Sequence, residues 1–215
     1  MGELIFVVGG AGSGKSRFAL QIAREWDPKV AFVATCASGD GEMAKKIANH
    51  RRERPEHWLT IEAAENPFKV NCPDKTTECL LVDSLTLWVS EMLLKGHERE
   101  DVIGKCARFL PEARSKFRQT IVVSDEVGFG IVPENDLARR FRQVLGAVNQ
   151  RAADIADEVF LISVGLPIQL KANRSGTFNF KEKKRETLIS FESPWTPFKP
   201  WTRVFFLEPR TCSIT

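Results

Sequence analysis

At 215 residues, 43% of them hydrophobic and 27% charged, the chain has room for one domain with an appendage and a surface suited to water. The formal charge of +3 is unevenly placed: residues 172–215 hold 8 Lys/Arg against 4 Asp/Glu, leaving 23 against 24 in residues 1–171, which excludes a basic nucleic-acid binder for the larger part. No apolar run approaches the ~20 residues of a bilayer span, and the start has neither the basic n-region nor the cleavage site of a secretory signal, so a cytoplasmic protein is expected. Cys36, Cys72, Cys79, Cys106 and Cys212 are scattered with no C-x-x-C pair, and His50, His57 and His97 share no metal-ligand spacing. That pattern reads as reduced thiols without a structural metal.

Gly2 leads directly into Leu4 to Val8, an apolar run that reads as a buried parallel strand rather than a lipidation signal. A glycine-rich turn follows, then a helix from about Lys15 to Trp26, stopped by Asp27-Pro28. Val30 to Ala34 is a second buried strand, and Asp40 to Arg54 are helix formers ended by Pro55. Cys79 to Asp83 is a third apolar strand, followed by a helix from Leu85 to Leu94. Thr120 to Ser124 is another strand, with a loop from Asp125 to Glu134 behind it. Leu137, Phe141, Leu145, Val148, Ala152 and Ile155 recur every three or four residues, which predicts an amphipathic helix with Arg139, Arg140, Arg142 and Arg151 on its other faces. Val159 to Val164 returns as a strand. After Lys171 the helical and strand patterns cease and Pro194, Pro197, Pro200 and Pro209 interrupt an aromatic-rich stretch.

The segment Gly9-Gly10-Ala11-Gly12-Ser13-Gly14-Lys15-Ser16 fits G-x-x-x-x-G-K-[ST] in full, with a strand before it and a helix after it. Glycines let backbone N–H groups turn inward as an anion nest, and the helix N-terminus adds its positive dipole end. Lys15 is expected to reach the β- and γ-phosphates of a nucleoside triphosphate, and the Ser16 hydroxyl to bind Mg2+. Asp83 ends a neighbouring parallel strand, where a carboxylate holds that ion, usually through water; alone it equally suits an ordinary strand-ending acid that caps the next helix, but beside the glycine turn the metal role is favoured. Strands alternating with helices behind such a turn predict an α/β fold of the P-loop NTPase (RecA-like) type. It would be a parallel-sheet three-layer sandwich over residues 1–171, with residues 172–215 as a C-terminal tail outside it. No N-K-x-D or L-S-G-G-Q stretch is present, which disfavours Ras-like GTPases and ABC ATPases.

Several further stretches occur in order. They include Val33-Ala34-Thr35, Glu42-Met43, His50-Arg51, Arg54-Pro55 with Trp58, Thr60 and Glu62 in register, and Leu81 to Trp88. Glu126-Val127-Gly128, Gly130 to Glu134, Asn149-Gln150, Ala156 to Val159 and Gly165-Leu166-Pro167 complete the series. Together with the glycine turn, this series over residues 4–171 resembles the bifunctional adenosylcobinamide kinase and adenosylcobinamide-phosphate guanylyltransferase family of cobalamin biosynthesis. The resemblance implies phosphorylation of the aminopropanol hydroxyl of (adenosyl)cobinamide by ATP or GTP, followed by transfer of GMP from GTP to the new phosphate. It implies a guanylylated histidine at the position of His50, and an imidazole is a competent nucleophile toward an α-phosphorus. It places guanine and ribose contacts around Thr35, Cys36 and Ala37, around Arg51, Arg52, Glu53 and Arg54, and at Glu62 and Asp83. The arginines suit phosphate through their planar forks; a solvated basic run is the plainer reading of them. The resemblance also implies a homo-oligomer, a trimer, with no nucleic-acid partner and no membrane span.

The sequence departs from the family where Gly12 stands for a frequent Arg, where Asp125 stands for a frequent Asn, and in residues 172–215. A P-loop small-molecule kinase without the transferase step would keep Lys15, Ser16 and Asp83 and leave His50 idle. A RecA-like module acting on nucleic acid is disfavoured by the near-neutral first 171 residues.

Overall fold

The computed structural model describes residues 2–35, 54–62 and 76–172, with the backbone alone at Glu62. The chain divides into two compact units, Met1–Thr177 and Phe178–Thr215, and every described residue belongs to the first. The helix expected over Asp40 to Arg54 and the fold of the tail beyond Ala172 lie outside the described residues, Arg54 apart.

The strands are β1 (Glu3–Gly9), β2 (Val30–Ala34), β3 (Leu59–Glu62), β4 (Cys79–Asp83), β5 (Gln119–Asp125), β6 (Glu158–Ser163) and β7 (Leu166–Lys171). The helices are α1 (Lys15–Ala23), α2 (Leu85–Leu94), α3 (Arg99–Lys116) and α4 (Asp136–Ile155), with a 3-10 turn over Arg24–Trp26. The strands form one 7-stranded sheet in the order β3-β2-β4-β5-β1-β6-β7, parallel throughout except for the β6–β7 hairpin.

Alternation along β1 shows why the sheet is covered on both sides. Leu4, Phe6 and Val8 join the cluster formed with residues of α2, α3 and α4, whereas Ile5 and Val7 join the cluster formed with Ala19, Leu20 and Ala23 of α1. The period of two in a strand sends successive side chains to opposite faces, so a continuous apolar run demands helices on each. This is the α/β three-layer sandwich of a P-loop protein. Trp88 and Phe6 are among the largest fully buried side chains, each worth roughly 1.5–3 kcal/mol of burial.

Local chemistry sets the element ends. The Ser84 side chain accepts from Leu87 N–H to cap α2, and Asn135 accepts from Ala138 N–H to cap α4. Gly14 precedes α1 with φ 91, a left-handed conformation that glycine tolerates. A Cβ on Gly2 would lie 1.8 Å from the Phe117 carbonyl oxygen, so backbone approach, rather than lipidation, accounts for glycine there. β6 ends at Ser163, one residue before the expected Val164, because Val164 (φ 47) and Gly165 (φ 81) form the two-residue hairpin loop into β7. The stripe of α4 is buried at Leu145, Val148 and Ala152, but Leu137 is exposed because the first turn of the helix reaches beyond the core. Cys79 and Cys106 are buried free thiols; burial pushes Cys106 up to about 12 and Cys79 further, which keeps both protonated and unreactive.

Candidate active site

The C-terminal ends of β2, β4, β5 and β1 lie side by side along one edge of the sheet. The pairs Ala34↔Asp83, Asp83↔Val123 and Gly9↔Asp125 fix their register. Parallel strands present their ligand-binding residues at this edge. With neighbouring strands about 4.8 Å apart, Asp125 stands next to the glycine turn, and Asp83 stands one strand further on.

The turn itself is held open by backbone geometry. Gly12 has φ 69 and Gly14 φ 91, Ser13 N–H donates to Gly10 O at 3.2 Å, and Phe18 N–H donates to Gly14 O at 3.0 Å as α1 begins. The β6–β7 hairpin braces the turn from the side, with Gly165 N–H donating to Ser13 O at 2.9 Å. A Cβ on Gly9 would meet Ile162 O at 2.5 Å and Ser13 Oγ at 2.6 Å, so β1 has room there for glycine alone. The Ser13 hydroxyl is buried with no hydrogen-bond partner among the described residues. Ser16, the second residue of α1, is half-buried.

Lys15 folds back over the turn. Its Nζ donates to Gly10 O at 3.2 Å and forms an ion pair with Asp125, the two side chains being 11% and 25% exposed. Asp125 is fixed by two helices of the same layer: its N–H donates to Thr86 Oγ1 of α2 at 2.7 Å, and its carbonyl accepts from Asn149 Nδ2 of α4 at 3.0 Å. The Ser124 hydroxyl in turn donates to Asn149 Oδ1 at 2.7 Å. Glu126 N–H donates to Gly9 O at 2.9 Å, which closes the loop start onto β1. Beyond it, Arg142 donates to Gly128 O and Arg139 to Pro133 O, so α4 pins both ends of a loop whose Phe129, Ile131 and Val132 stand exposed.

Thr35 is buried, and its hydroxyl donates to Ser84 O at 2.7 Å while accepting from Ser84 N–H at 2.8 Å. It therefore clamps the end of β2 to the turn after Asp83. Arg54 is also buried, with its guanidinium carbon 3.7 Å above the Phe32 ring on the α1 side of the sheet. Asp27 accepts from Trp58 Nε1 at 2.5 Å and bonds His57 Nε2 at 2.7 Å, tying the segment that carries Arg54 to the end of the 3-10 turn that follows α1. These two bonds hold the Asp27 carboxyl below its ordinary range, the Trp58 bond most strongly. Cys36, Ala37, His50, Arg51, Arg52 and Glu53 lie outside the described residues, as does the Glu62 side chain.

Gly9, Gly10, Ala11, Gly12, Ser13, Gly14, Lys15 and Ser16 are thus brought together as one turn, with Thr35 and Asp83 along the same strand edge. Sequence reasoning gave no role to Thr86, Ser124 or Asn149. The available signals were a polar Asn149 inside the apolar stripe of α4 and the place of Thr86 and Asn149 in the ordered stretches that carry the family resemblance. Ser16 and Asp83 offer hard oxygen donors of the kind Mg2+ takes, and no group of three or more His, Cys, Asp or Glu that could hold a metal occurs among the described residues. A Mg2+ ion fits this donor set only with substrate phosphates and water completing its shell. No helix among the described residues is long and apolar enough to cross a membrane.

A family model described as "Cobinamide kinase / cobinamide phosphate guanyltransferase" matches residues 5–170, which include the whole of this edge. The chain belongs to that family. Among curated relatives, the bifunctional adenosylcobalamin biosynthesis protein CobP of Pseudomonas aeruginosa is 38% identical over 172 residues, 77% of this chain and 95% of its own length. The bifunctional adenosylcobalamin biosynthesis proteins CobU of Salmonella typhimurium and Escherichia coli are 36% and 34% identical, each over 78% of this chain and 99% of their own length. The match ends at the last residues of β7, so the family region and the parallel sheet with its hairpin coincide.

Proposed function

We propose that the chain is an adenosylcobinamide kinase and adenosylcobinamide-phosphate guanylyltransferase, acting in the cytoplasm as a homo-oligomer, a trimer by family resemblance. The observation that carries the reading is the Lys15 ammonium seated over the glycine turn at the C-terminal edge of the sheet, in a chain of this family. Residues 1–171 supply the catalytic domain, and residues 172–215 are an extension to it.

In the first reaction, backbone N–H groups of the turn and Lys15 hold the β- and γ-phosphates of ATP or GTP. The aminopropanol hydroxyl of cobinamide attacks the γ-phosphorus, the bond to the β-phosphate oxygen breaks, and the nucleoside diphosphate leaves. The Ser16 hydroxyl and the Asp83 carboxylate would hold Mg2+, which neutralises charge on the phosphates. In the second reaction, the His50 imidazole attacks the α-phosphorus of GTP and pyrophosphate leaves. An oxygen of cobinamide phosphate then attacks the phosphoramidate, releasing His50 and giving GDP-cobinamide. Covalent catalysis divides one transfer into two easier ones. Arg51 and Arg52 are assigned to the phosphates and Glu62 to the guanine edge, with Thr35, Cys36, Ala37 and Glu53 around the nucleoside; Arg54, expected among the phosphate ligands, is instead stacked on Phe32 and would anchor the segment that carries the others.

Incubation with GTP labelled at the α-phosphate tests the reading. An acid-labile, base-stable protein adduct that disappears in His50→Ala is expected. Phosphorylation of cobinamide without any adduct would instead mark a P-loop kinase lacking the transferase step.

A further inference from the structure

We infer that Asp125 is a resting counter-ion for Lys15, which nucleotide phosphates must displace and to which the lysine returns as product leaves. The inference rests on the reading that phosphates bind at the glycine turn. Its basis is the arrangement of one ammonium between two acceptors: Lys15 Nζ donates to Gly10 O at 3.2 Å and pairs with the Asp125 carboxylate, both side chains being largely shielded.

The carboxylate is held in place by its surroundings. Both backbone polar groups of Asp125 are bonded, the N–H to Thr86 Oγ1 at 2.7 Å and the carbonyl to Asn149 Nδ2 at 3.0 Å, so α2 and α4 fix where the side chain begins. Its strand register opposite Gly9 sets it beside the first residue of the turn. The acid is therefore built into the strand edge and does not depend on a swinging loop.

A phosphate oxygen and a carboxylate oxygen are the same kind of acceptor for an ammonium. The attraction of Lys15 to an arriving phosphate is offset by the contact it gives up. The carboxylate it leaves behind then faces the incoming negative charge. Both effects weaken nucleotide binding, and both draw the lysine back once phosphate departs. Asp125 acts through Lys15 and is a positioning residue.

Calorimetric titration of the full chain with GTP and with GDP in Mg2+, for wild type and Asp125→Asn, tests this. Asparagine retains the backbone bonds to Thr86 and Asn149 and removes the charge. The Kd for each nucleotide is expected to fall about threefold or more, the upper range for a partly exposed ion pair. Unchanged or weaker binding overturns the inference. A second measurement reads the contact directly in the nucleotide-free chain. Asp125→Asn should lower the Tm when Lys15 is present and leave it unaltered in a Lys15→Met background. Equal Tm shifts in the two backgrounds would also overturn the inference. Failure of wild type to bind GTP at all is a separate result, which removes the nucleotide-site reading itself.

Discussion

Asn149 reaches from α4 to the end of β5, where its Nδ2 donates to the Asp125 carbonyl at 3.0 Å while its Oδ1 accepts from the Ser124 hydroxyl at 2.7 Å. A single buried amide therefore fixes the strand end that faces Lys15. Asn149→Leu would suit the apolar stripe in size but strand a buried hydroxyl and a carbonyl. Urea denaturation should show a loss of about 1–3 kcal/mol, the cost of leaving buried polar groups unpaired. Unchanged stability would mean that these bonds have no structural weight.

Val164 occupies the two-residue β6–β7 loop with φ 47 and is exposed. A β-branched side chain is disfavoured at positive φ, and asparagine is among the residues such loops prefer. Val164→Asn should raise stability by about 1 kcal/mol, read as a higher Tm. A lower Tm would show that Val164 makes a compensating contact.

Glu158 is buried on β6, and its Oε2 accepts from Gln169 Nε2 at 2.9 Å. Burial raises its pKa above the ordinary 4.5, and the nearby Glu3 adds to the rise. A carboxyl with a raised folded-state pKa disfavours folding once ionised. Its contribution is most favourable below the ordinary value and is lost as pH rises through the folded one. Glu158→Gln should therefore be more stable than wild type at pH 7, with the difference closing as pH falls through the raised folded-state value toward 4.5. A difference that persists unchanged at low pH would contradict this.

The sheet and the phosphate turn were legible because each rests on a local requirement. Unbroken apolar runs such as Leu4 to Val8 need two covered faces, and Gly12 and Gly14 adopt the positive φ that the turn demands. Strand order is a non-local property, so nothing in the sequence said that β5 would insert between β4 and β1 and bring Asp125, rather than Asp83, beside the turn. α3 was hidden by Gly104 and Pro111, both poor in helix interiors. Its buried residues Val102, Cys106, Leu110 and Ala113 still keep a helical spacing, and Pro111 lies exposed on the outer face. β7 escaped notice although Leu166, Ile168 and Leu170 alternate with Pro167, Gln169 and Lys171, because the run is short, carries a proline and leaves its apolar residues exposed at the sheet edge. The role of His50 is read from resemblance and lies outside the described residues.

The proposed function seats the β- and γ-phosphates of ATP or GTP on Lys15 and the glycine turn for the kinase step. The purified chain given adenosylcobinamide, GTP and Mg2+ should yield adenosylcobinamide phosphate with GDP and then adenosyl-GDP-cobinamide with pyrophosphate, followed by mass spectrometry. Lys15→Ala should slow the first product by about 100-fold or more, the loss typical of removing one group that stabilises transition-state charge. Consumption of GTP with the corrinoid left unmodified, or full kinase turnover in Lys15→Ala, would contradict the proposed function.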